Sequence, residues 1–458
     1  MMPRILFCAP SSGTGKTTVT CAVLRAFQRR GLKLAACKSG PDYIDPMFHQ
    51  KVLDTPSTNL DLFFFSSETA RALLRQVGEG ADLTVLEGAM GFYDGIATSE
   101  RASAYDLAVQ TKTPAVLVLD GRGSALSLAA TVKGFQAFRS PNPIRGVLLN
   151  RAKPAMAQRL GEMLLRETGL PLLGCLPPLE GCGFESRHLG LVTAGEIADL
   201  QQKLDRLADA AEESLDLDAI LALAREAPDV KDKLKLPKAP RGKVKIAVAR
   251  DEAFCFYYES SLRILRSLGA ALVDFSPLHD KKLPKGVCGL YLGGGYPELH
   301  AEALAMNHAM RESVRAAVAA GMPTVAECGG FLYLQRTLQD QGRHPWLMAS
   351  ALDAEGFPTG QLSRFGYITL RAKTDSLLFE AGEEMPAHEF HYWDSTDPGR
   401  SFEAQKPLSQ RHWETGVATP SLYAGFPHFH FASKPQAAVR FLAAARRWRE
   451  AQKEMQQK

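Results

Sequence analysis

The sequence predicts two consecutive α/β units built on parallel sheets, and three observations predict this class. Short apolar runs without polar alternation recur along the chain, as expected for strands buried on both faces. Helical patterns separate these runs, which is the arrangement of parallel strands joined by crossover helices. The 458 residues exceed one ordinary core, and a Lys- and Pro-rich stretch near the middle separates two such series.

The apolar runs also give the order of the elements and the domain boundaries. The first series consists of RILFCA, LKLAACKSG, LTVLEGAMG, AVLVLDG, IRGVLLNR and PLLGCLP. The second begins with VKIAVARD and continues through ALVDFSPL, GLYLGGGYPE and PTVAECGGFLYL into a strand-rich tail. We assign residues 1–205 to a first domain, residues 206–242 to a linker and residues 243–458 to a second domain.

Composition excludes several classes of protein. The apolar share of 45% and charged share of 23% are those of a folded globular chain, not of a disordered one. A net charge of +4 gives no basis for a nucleic-acid partner. No run reaches the roughly 18 apolar residues of a membrane span. The eight cysteines form no CxxC pair, so we expect reduced thiols and a cytoplasmic protein.

The first strand is followed by a candidate phosphate-binding loop. Residues 11–18 read SSGTGKTT and precede a helical pattern, so backbone N–H groups and the helix end would cradle phosphates. Lys16 would reach the outer phosphates and the Thr17 hydroxyl would bind magnesium. The strict motif has glycine where this chain has Pro10. The predicted nucleotide-binding residues of the loop are Gly13, Gly15, Lys16, Thr17 and Thr18.

Carboxylates follow the neighbouring strands. Glu87 ends the strand LTVL, at the edge of the sheet where α/β proteins bind ligands, and a hard cation suits it. Asp42, Asp45 and Asp94 lie in loops at the same edge. These groups would repel one another unless magnesium or a basic group lay among them. A solvent-facing Glu87 and ordinary turn aspartates are the alternatives.

The second series contains a candidate nucleophile. Cys328 lies between a short strand and a helical run, and the following glycines permit the sharp turn that exposes a nucleophile. The alternative is a buried cysteine that only fills space. Gly294 and Gly295, in the run GGGYPE, predict an oxyanion site from backbone N–H groups. In FPHFHF, His428 and His430 would point to opposite faces of a strand, and one could activate the thiol.

The run AHEFHYW offers His388 and His391 as a metal pair. Their spacing on a strand places the two rings on opposite faces. We therefore predict structural or substrate-facing roles rather than metal binding.

Together these motifs resemble the cobyrinic acid a,c-diamide synthases of the cobalamin pathway, over nearly the whole chain. The resemblance rests on SSGTGKTT, KSGPDYIDP, LEGAMGFYDG, LGGGYPE, AECGGFLYL, HEFHY and HFHF. It implies a P-loop-type parallel-sheet ATP domain like dethiobiotin synthetase, followed by a class I glutamine amidotransferase domain with a flavodoxin-like α/β sheet. It also implies ATP as co-substrate, Mg²⁺ as cofactor, and glutamine and a tetrapyrrole polycarboxylate as partners. A homodimer is compatible with it.

The resemblance also assigns roles to residues. Cys328 would attack glutamine, with His428 as its base and His430 as the fallback. The family's usual glutamate, two residues after the histidine, is replaced here by His430, which indicates a Cys and His dyad and leaves open whether a third, orienting carboxylate exists. The implied metal ligands are Thr17, Asp42 and Glu87. The implied substrate-binding residues are Tyr43, Asp45 and Asp94, and Asn150 is the adenine-side position. We also expect Lys38, Arg187 and Arg364 to hold acidic groups of the acceptor.

The implied reaction is amidation of the a and c side-chain carboxylates of cobyrinic acid through an acyl phosphate. We expect ammonia to travel to it along a path shielded from water. The same chemistry on hydrogenobyrinic acid or nickel sirohydrochlorin stays open, whereas cobyric acid synthase is longer. A MinD-like switch ATPase would explain Lys16 and Glu87 but not Cys328, and it usually carries a second lysine early in the loop. A binding protein with degenerate sites is a third alternative.

Overall fold

The computed structural model describes residues 2–182, 194–238 and 242–457. Within them the chain divides into two compact units, Met1–Leu234 and Lys235–Lys458. Each unit has its own parallel sheet, so the predicted α/β class is confirmed. No helix in the described ranges is long and apolar enough to span a membrane. All eight cysteines are buried and free of disulfides.

The first unit is a seven-stranded parallel sheet in the order β3-β2-β4-β1-β5-β6-β7. Its strands are β1 (Arg4–Cys8), β2 (Leu34–Ser39), β3 (Ser57–Leu60), β4 (Leu83–Glu87), β5 (Ala115–Asp120), β6 (Ile144–Asn150) and β7 (Leu172–Leu176). Its helices are α1 (Lys16–Arg29), α2 (Ile44–Lys51), α3 (Ser67–Gly78), α4 (Ala104–Thr111), α5 (Leu126–Ala137), α6 (Ala157–Thr168), α7 (Ala194–Ser214) and α8 (Leu217–Arg225).

The sequence predicts every strand of this sheet except β3. The β3 sequence, STNL, contains no apolar run, yet all four residues are buried. Pairing with β2 at the edge of the sheet satisfies its backbone, so hydrophobic patterning carries no signal for it.

Two helices extend the first unit into the segment predicted as a linker. In α7 and α8 the side chains of Leu204, Leu207 and Ile220 are fully buried in the core of the first unit. Arg25 of α1 forms an ion pair with Asp205 of α7 at 2.8 Å. Residues 206–225 therefore belong to the first unit, and a linker beginning at residue 206 is wrong because an apolar helix face is buried there.

The second unit has a central sheet in the order β10-β8-β11-β13-β23-β22. Numbering its parallel strands along the chain gives 2-1-3-4-5, the flavodoxin-like order, with β22 antiparallel at the edge. Its members are β8 (Val244–Ala249), β10 (Ala270–Phe275), β11 (Gly289–Leu292), β13 (Thr324–Glu327), β22 (Val417–Thr419) and β23 (Leu422–Gly425). The helices of the unit are α9 (Glu259–Ser267), α10 (Ala301–Met306), α11 (His308–Ala319), α12 (Gly329–Leu334) and α13 (Pro435–Gln457).

Smaller sheets complete this unit. A five-stranded sheet has the order β21-β20-β17-β18-β24, a four-stranded sheet has the order β15-β14-β16-β19, and β12 pairs with β9. Their strands are β9 (Phe254–Phe256), β12 (Gly294–Gly295), β14 (Thr337–Gln339), β15 (Pro345–Leu347), β16 (Glu355–Pro358), β17 (Arg364–Ala372), β18 (Glu384–His391), β19 (Trp393–Ser395), β20 (Phe402–Gln405), β21 (His412–Thr415) and β24 (His428–Phe429).

A core substitution tests whether α8 is part of the first unit. Ile220→Ala removes a fully buried side chain, so we expect it to lower the free energy of unfolding by about 2 to 5 kcal/mol. Urea denaturation of the full chain measures this change. Glu226→Ala, at an exposed position just beyond the same helix, is the control and should change stability by less than about 0.5 kcal/mol. Equal stability of the two variants would show that α8 is not packed there.

Candidate functional site

The phosphate loop joins β1 to α1 and depends on two left-handed glycines. Gly13 has φ 79° and Gly15 has φ 97°. A Cβ on Gly15 would lie 2.0 Å from Nδ2 of Asn150, so only glycine fits there. Lys16 begins α1, with Thr18 in its first turn. The loop therefore has the strand-to-helix geometry that the motif predicts.

Lys16 is folded over this loop. Its ammonium donates to the carbonyl oxygens of Ser11 at 3.0 Å and Met90 at 2.5 Å. Only 7% of the residue is exposed. Burial and the charge of Lys38 lower the pKa of Lys16. The cation is thus held at the predicted phosphate position by backbone oxygens, which a phosphate could replace.

Glu87 is the last residue of β4 and is 1% exposed. Its Oε1 accepts hydrogen bonds from the Thr17 hydroxyl at 2.6 Å and from the Lys38 ammonium at 2.8 Å. Its Oε2 is buried and has no hydrogen-bond partner in the described part of the chain. The structure therefore brings Thr17 and Glu87 together.

Lys38 neutralises the carboxylates at this edge of the sheet. It forms ion pairs with Asp45 and Glu87. Burial disfavours its charge, but Asp45, Glu87 and Asp42 raise the pKa of Lys38. Burial and the neighbouring Asp45 raise the pKa of Asp42 to about 7. The expectation that Lys38 holds an acceptor acid is wrong, because these carboxylates already use its charge. Arg187 lies outside the described residues.

Three other predicted residues border the loop and α2. Tyr43 caps the start of α2 and is buried. Asp94 accepts a hydrogen bond from the Gly91 N–H at 3.1 Å. Asn150 donates to the carbonyl of Thr14 at 2.9 Å and is 3% exposed. Asn150 therefore supports the phosphate loop from beneath.

The donor set at Thr17 and Glu87 fits a magnesium ion. A hydroxyl next to a carboxylate with one buried, unpartnered oxygen is the protein share of such a site, because Mg²⁺ keeps waters and binds phosphate oxygens. No group of three His, Cys, Asp or Glu in the described ranges could hold a metal unaided. Asp42 has no hydrogen bond to Thr17 or Glu87 among the described residues and neighbours Asp45 instead.

In the second unit, Cys328 occupies a strained turn between β13 and α12. Its φ of 48° and ψ of −100° are unusual for a residue with a side chain. Gly330 makes the turn possible, since a Cβ there would lie 2.2 Å from the Leu292 carbonyl oxygen. The Gly330 N–H donates to the Gly293 carbonyl at 2.9 Å. This is the sharp turn predicted for a nucleophile.

A histidine and a glutamate complete the site. His428 interacts with the Cys328 thiol, and its Nδ1 lies 3.2 Å from Glu327 Oε2. Glu327 also accepts from the Tyr291 hydroxyl at 3.1 Å. Burial opposes the charge of His428, but hydrogen bonds to Cys328 and Glu327 raise its pKa to about 10. Burial raises the pKa of Glu327, and the interaction with His428 acts against that rise.

Sequence reasoning left open whether a third carboxylate exists and did not single out Glu327, which the structure places beside His428. The family's usual glutamate follows the histidine, whereas Glu327 directly precedes the nucleophile. A fully buried strand that ends in an acidic residue next to Cys328 was the available signal.

His430 has a different surrounding from His428. Its Nε2 lies 2.6 Å from the Ser260 hydroxyl, and its Nδ1 accepts from the Ala432 N–H at 2.9 Å. Burial lowers the pKa of His430 to about 3. The structure therefore places His428, not the fallback His430, at the thiol.

His388 and His391 lie on opposite faces of β18, as their spacing predicts. His388 is the register partner of His428 and contacts the Phe365 ring. His391 stacks on Phe426 with ring centroids 3.9 Å apart.

The predicted oxyanion strand passes beside this turn. A Cβ on Gly294 would lie 2.6 Å from Cε1 of His428. A Cβ on Gly329 would lie 3.1 Å from the backbone nitrogen of Gly295. Gly294 and Gly295 are thus next to the nucleophile and its histidine.

Removing the buried cation of the first unit tests its role. Lys38→Met leaves Glu87 and Asp45 without a counter-ion, so we expect a loss of about 3 to 5 kcal/mol in the free energy of unfolding. Urea denaturation is the measurement. Lys33→Met, at an exposed position just before β2, should have little effect. A Lys38 variant as stable as the Lys33 variant would refute the assignment.

Removing the charge of Glu327 tests its link to His428. Because this carboxylate helps to raise the pKa of His428, Glu327→Gln should lower that pKa. The rate of glutamate release should then fall about tenfold or more. The alkaline limb of its pH profile should move to lower pH. Tyr291→Phe keeps the charge and should leave the limb in place. A pH profile unchanged by Glu327→Gln would contradict the assignment.

Family models match both units of the chain. Residues 5–186 match the family model of the CobQ/CobB/MinD/ParA nucleotide binding domain. Residues 245–436 match the CobB/CobQ-like glutamine amidotransferase domain. The two models cover the two units in turn.

Curated relatives match over nearly the whole chain. A cobyrinate a,c-diamide synthase of Listeria monocytogenes is 38% identical over 440 residues, which are 94% of this chain and 96% of that protein. One of Salmonella typhimurium is 38% identical over 453 residues, which are 95% of this chain and 96% of that protein. One of Caldanaerobacter subterraneus is 36% identical over 434 residues, which are 94% of this chain and 96% of that protein. This chain therefore belongs to the cobyrinate a,c-diamide synthase family, and the predicted resemblance is confirmed.

Proposed function

We propose that this chain converts the a and c side-chain carboxylates of cobyrinic acid to amides, using ATP and glutamine. One observation carries the proposal: a phosphate loop and a thiol with an imidazole occur on a single polypeptide. The loop offers Lys16, Thr17 and Glu87, and the thiol site offers Cys328 and His428. A switch ATPase would leave the second set without a role.

The first unit would activate the carboxylate. A carboxylate does not exchange oxygen for nitrogen unaided, because oxide is too poor a leaving group. Transfer of the γ-phosphoryl group of ATP to the carboxylate gives an acyl phosphate, whose phosphate can leave. Backbone N–H groups from Gly13 to Thr17 would hold the phosphates, and Lys16 would neutralise charge on the group in transfer.

Magnesium would be the cofactor of the first unit. Thr17 and Glu87 would hold Mg²⁺, which supplies neutralisation of phosphate charge when bound. Tyr43 and Asp94 remain our candidates for contact with the acceptor. Asp45, which forms an ion pair with Lys38, is a further candidate for contact with the acceptor.

The second unit would release ammonia. The thiol proton of Cys328 passes to His428 as the sulfur attacks the amide carbon of glutamine, and the N–H groups of Gly294 and Gly295 would stabilise the oxyanion. His428 donates a proton to the departing nitrogen, which leaves a thioester and ammonia. Water, deprotonated by His428, then hydrolyses the thioester to glutamate. Glu327 would orient the imidazole and stabilise its charged form.

We place the reaction in the cytoplasm, which supplies ATP and glutamine and keeps thiols reduced. Assembly as a homodimer stays an expectation that light scattering tests.

A nucleophile variant separates the two chemistries. Cys328→Ser should lose amidation of cobyrinic acid with glutamine but keep it with added ammonium chloride, because the first unit does not need the thiol. Mass spectrometry of the acceptor follows two successive acid-to-amide conversions. Cys288→Ser, at a buried cysteine outside both sites, is the control.

The same experiment compares acceptors. Hydrogenobyrinic acid and nickel sirohydrochlorin replace cobyrinic acid in parallel reactions with the unaltered enzyme. Cobyrinic acid should be converted fastest. Faster conversion of either alternative would show that this compound, not cobyrinic acid, is the acceptor. Glutamine-dependent activity in Cys328→Ser would overturn the assignment of the nucleophile.

A further inference from the structure

The face of β18 that carries Glu389 and His391 holds a group of buried polar atoms without partners. Both carboxylate oxygens of Glu389, Nε2 of His391 and Nη1 of Arg364 are buried and have no hydrogen bond within the described ranges. Glu389 is 0% exposed. Buried polar groups are almost always hydrogen-bonded, so such a concentration points to a bound ligand.

Strand register places these atoms together. Glu389 and His391 are two residues apart on β18 and share a face. Arg364 of β17 is the cross-strand partner of His391, and Gly366 is the partner of Glu389. The ammonium of Lys406 lies 3.2 Å from where a Cβ on Gly366 would be, so it occupies the space beside Glu389.

The protonation state of His391 sets the chemistry of the group. Its Nδ1 lies 2.5 Å from the Trp393 carbonyl oxygen, which can only accept, so Nδ1 carries the proton. Burial lowers the pKa of His391 to about 4, which keeps the ring neutral. Nε2 is therefore an acceptor.

Two acceptors consequently face each other. His391 Nε2 and Glu389 Oε2 are 4.0 Å apart, and neither atom has a hydrogen-bond partner in the described part of the chain. A tetrahedral nitrogen with several N–H groups, about 2.9 Å from each, would bridge them. A positive charge on that nitrogen would be favoured by the carboxylate.

His391 packs against the chain segment that leads from the thiol turn to His428. The His391 ring stacks on Phe426 at an interplanar angle of 7°. Phe426 follows Gly425, whose carbonyl oxygen accepts from the Cys328 N–H at 2.7 Å. Burial raises the pKa of Glu389 to about 7, while Arg364, Lys406 and His428 act against that rise.

We propose that Glu389 and His391 bind an ammonium group during the reaction at Cys328. Two sources present this group: the α-ammonium of glutamine, and ammonium released from the glutamine amide. An amino acid would also offer a carboxylate to the free Nη1 of Arg364, whereas free ammonium would not. The inference rests on the proposed role of Cys328.

Charge removal without a change of size tests the site. Glu389→Gln is compared with Glu384→Gln, an exposed position on the same strand. If glutamine supplies the group, KM for glutamine in glutamate release should rise about tenfold or more with little change in kcat. Arg364→Met should then raise KM as well. Amidation driven by ammonium chloride should be unchanged.

If released ammonium supplies the group, the constants for glutamate release should stay the same. The glutamate formed per amide made should instead rise severalfold in Glu389→Gln, because ammonia is lost to solvent. Arg364→Met should have no such effect. His391→Phe, which keeps the ring stack on Phe426, repeats the test if Glu389→Gln does not fold.

A pocket filled only by water would overturn the inference. In that case the folded variants match Glu384→Gln in KM, in kcat and in the ratio of glutamate to amide. Cys328→Ser separates this failure from failure of the proposed function. Loss of glutamate release in Cys328→Ser, with no effect of Glu389→Gln, overturns only the ammonium site. Retained glutamate release overturns the role of Cys328.

Discussion

Each α/β unit buries a glutamate at the last position of a central strand, and a cation beside it makes that burial tolerable. Glu87 ends β4 and Glu327 ends β13, and both are 1% exposed. A carboxylate in such a place costs several kcal/mol unless it is paired and hydrogen-bonded. Lys38 with Thr17 supplies the partners of Glu87, and His428 with Tyr291 supplies those of Glu327.

These pairs differ in what they leave for chemistry. Lys38 is fully engaged by Asp45 and Glu87, so it stabilises the site while Lys16 stays available for phosphate. His428 has one ring nitrogen next to Glu327 and also interacts with the Cys328 thiol. The first pair therefore organises a binding loop, and the second pair organises a proton-transfer chain. In both cases the parallel sheet places the carboxylate where the loops converge.

Local sequence signals predicted much of the fold and both reactive groups. Apolar runs marked the strands of both parallel sheets, and the loop around Lys16 and the turn at Cys328 had motif-level signals. The edge strand β3 escaped because its burial comes from pairing, not from apolar residues. The sequence did not show that α8 belongs to the first unit, because its helical pattern adjoins a Lys- and Pro-rich segment.

Partnerships between distant residues were harder to predict. Lys38 and Glu87 are 49 residues apart, and Glu327 and His428 are 101 apart. Register and sheet order create these contacts, and a single sequence specifies neither directly. The unpartnered atoms of Glu389 and His391 are likewise visible only after β17 and β18 are aligned.

A double-mutant cycle on glutamate release tests most directly whether a buried glutamate acts through its cation. The variants are Glu327→Gln, His428→Asn and the two combined, compared by kcat/KM. If Glu327 works by orienting His428, its replacement should reduce kcat/KM in the presence of His428 and have no further effect in His428→Asn. An equal loss in both backgrounds would contradict the account.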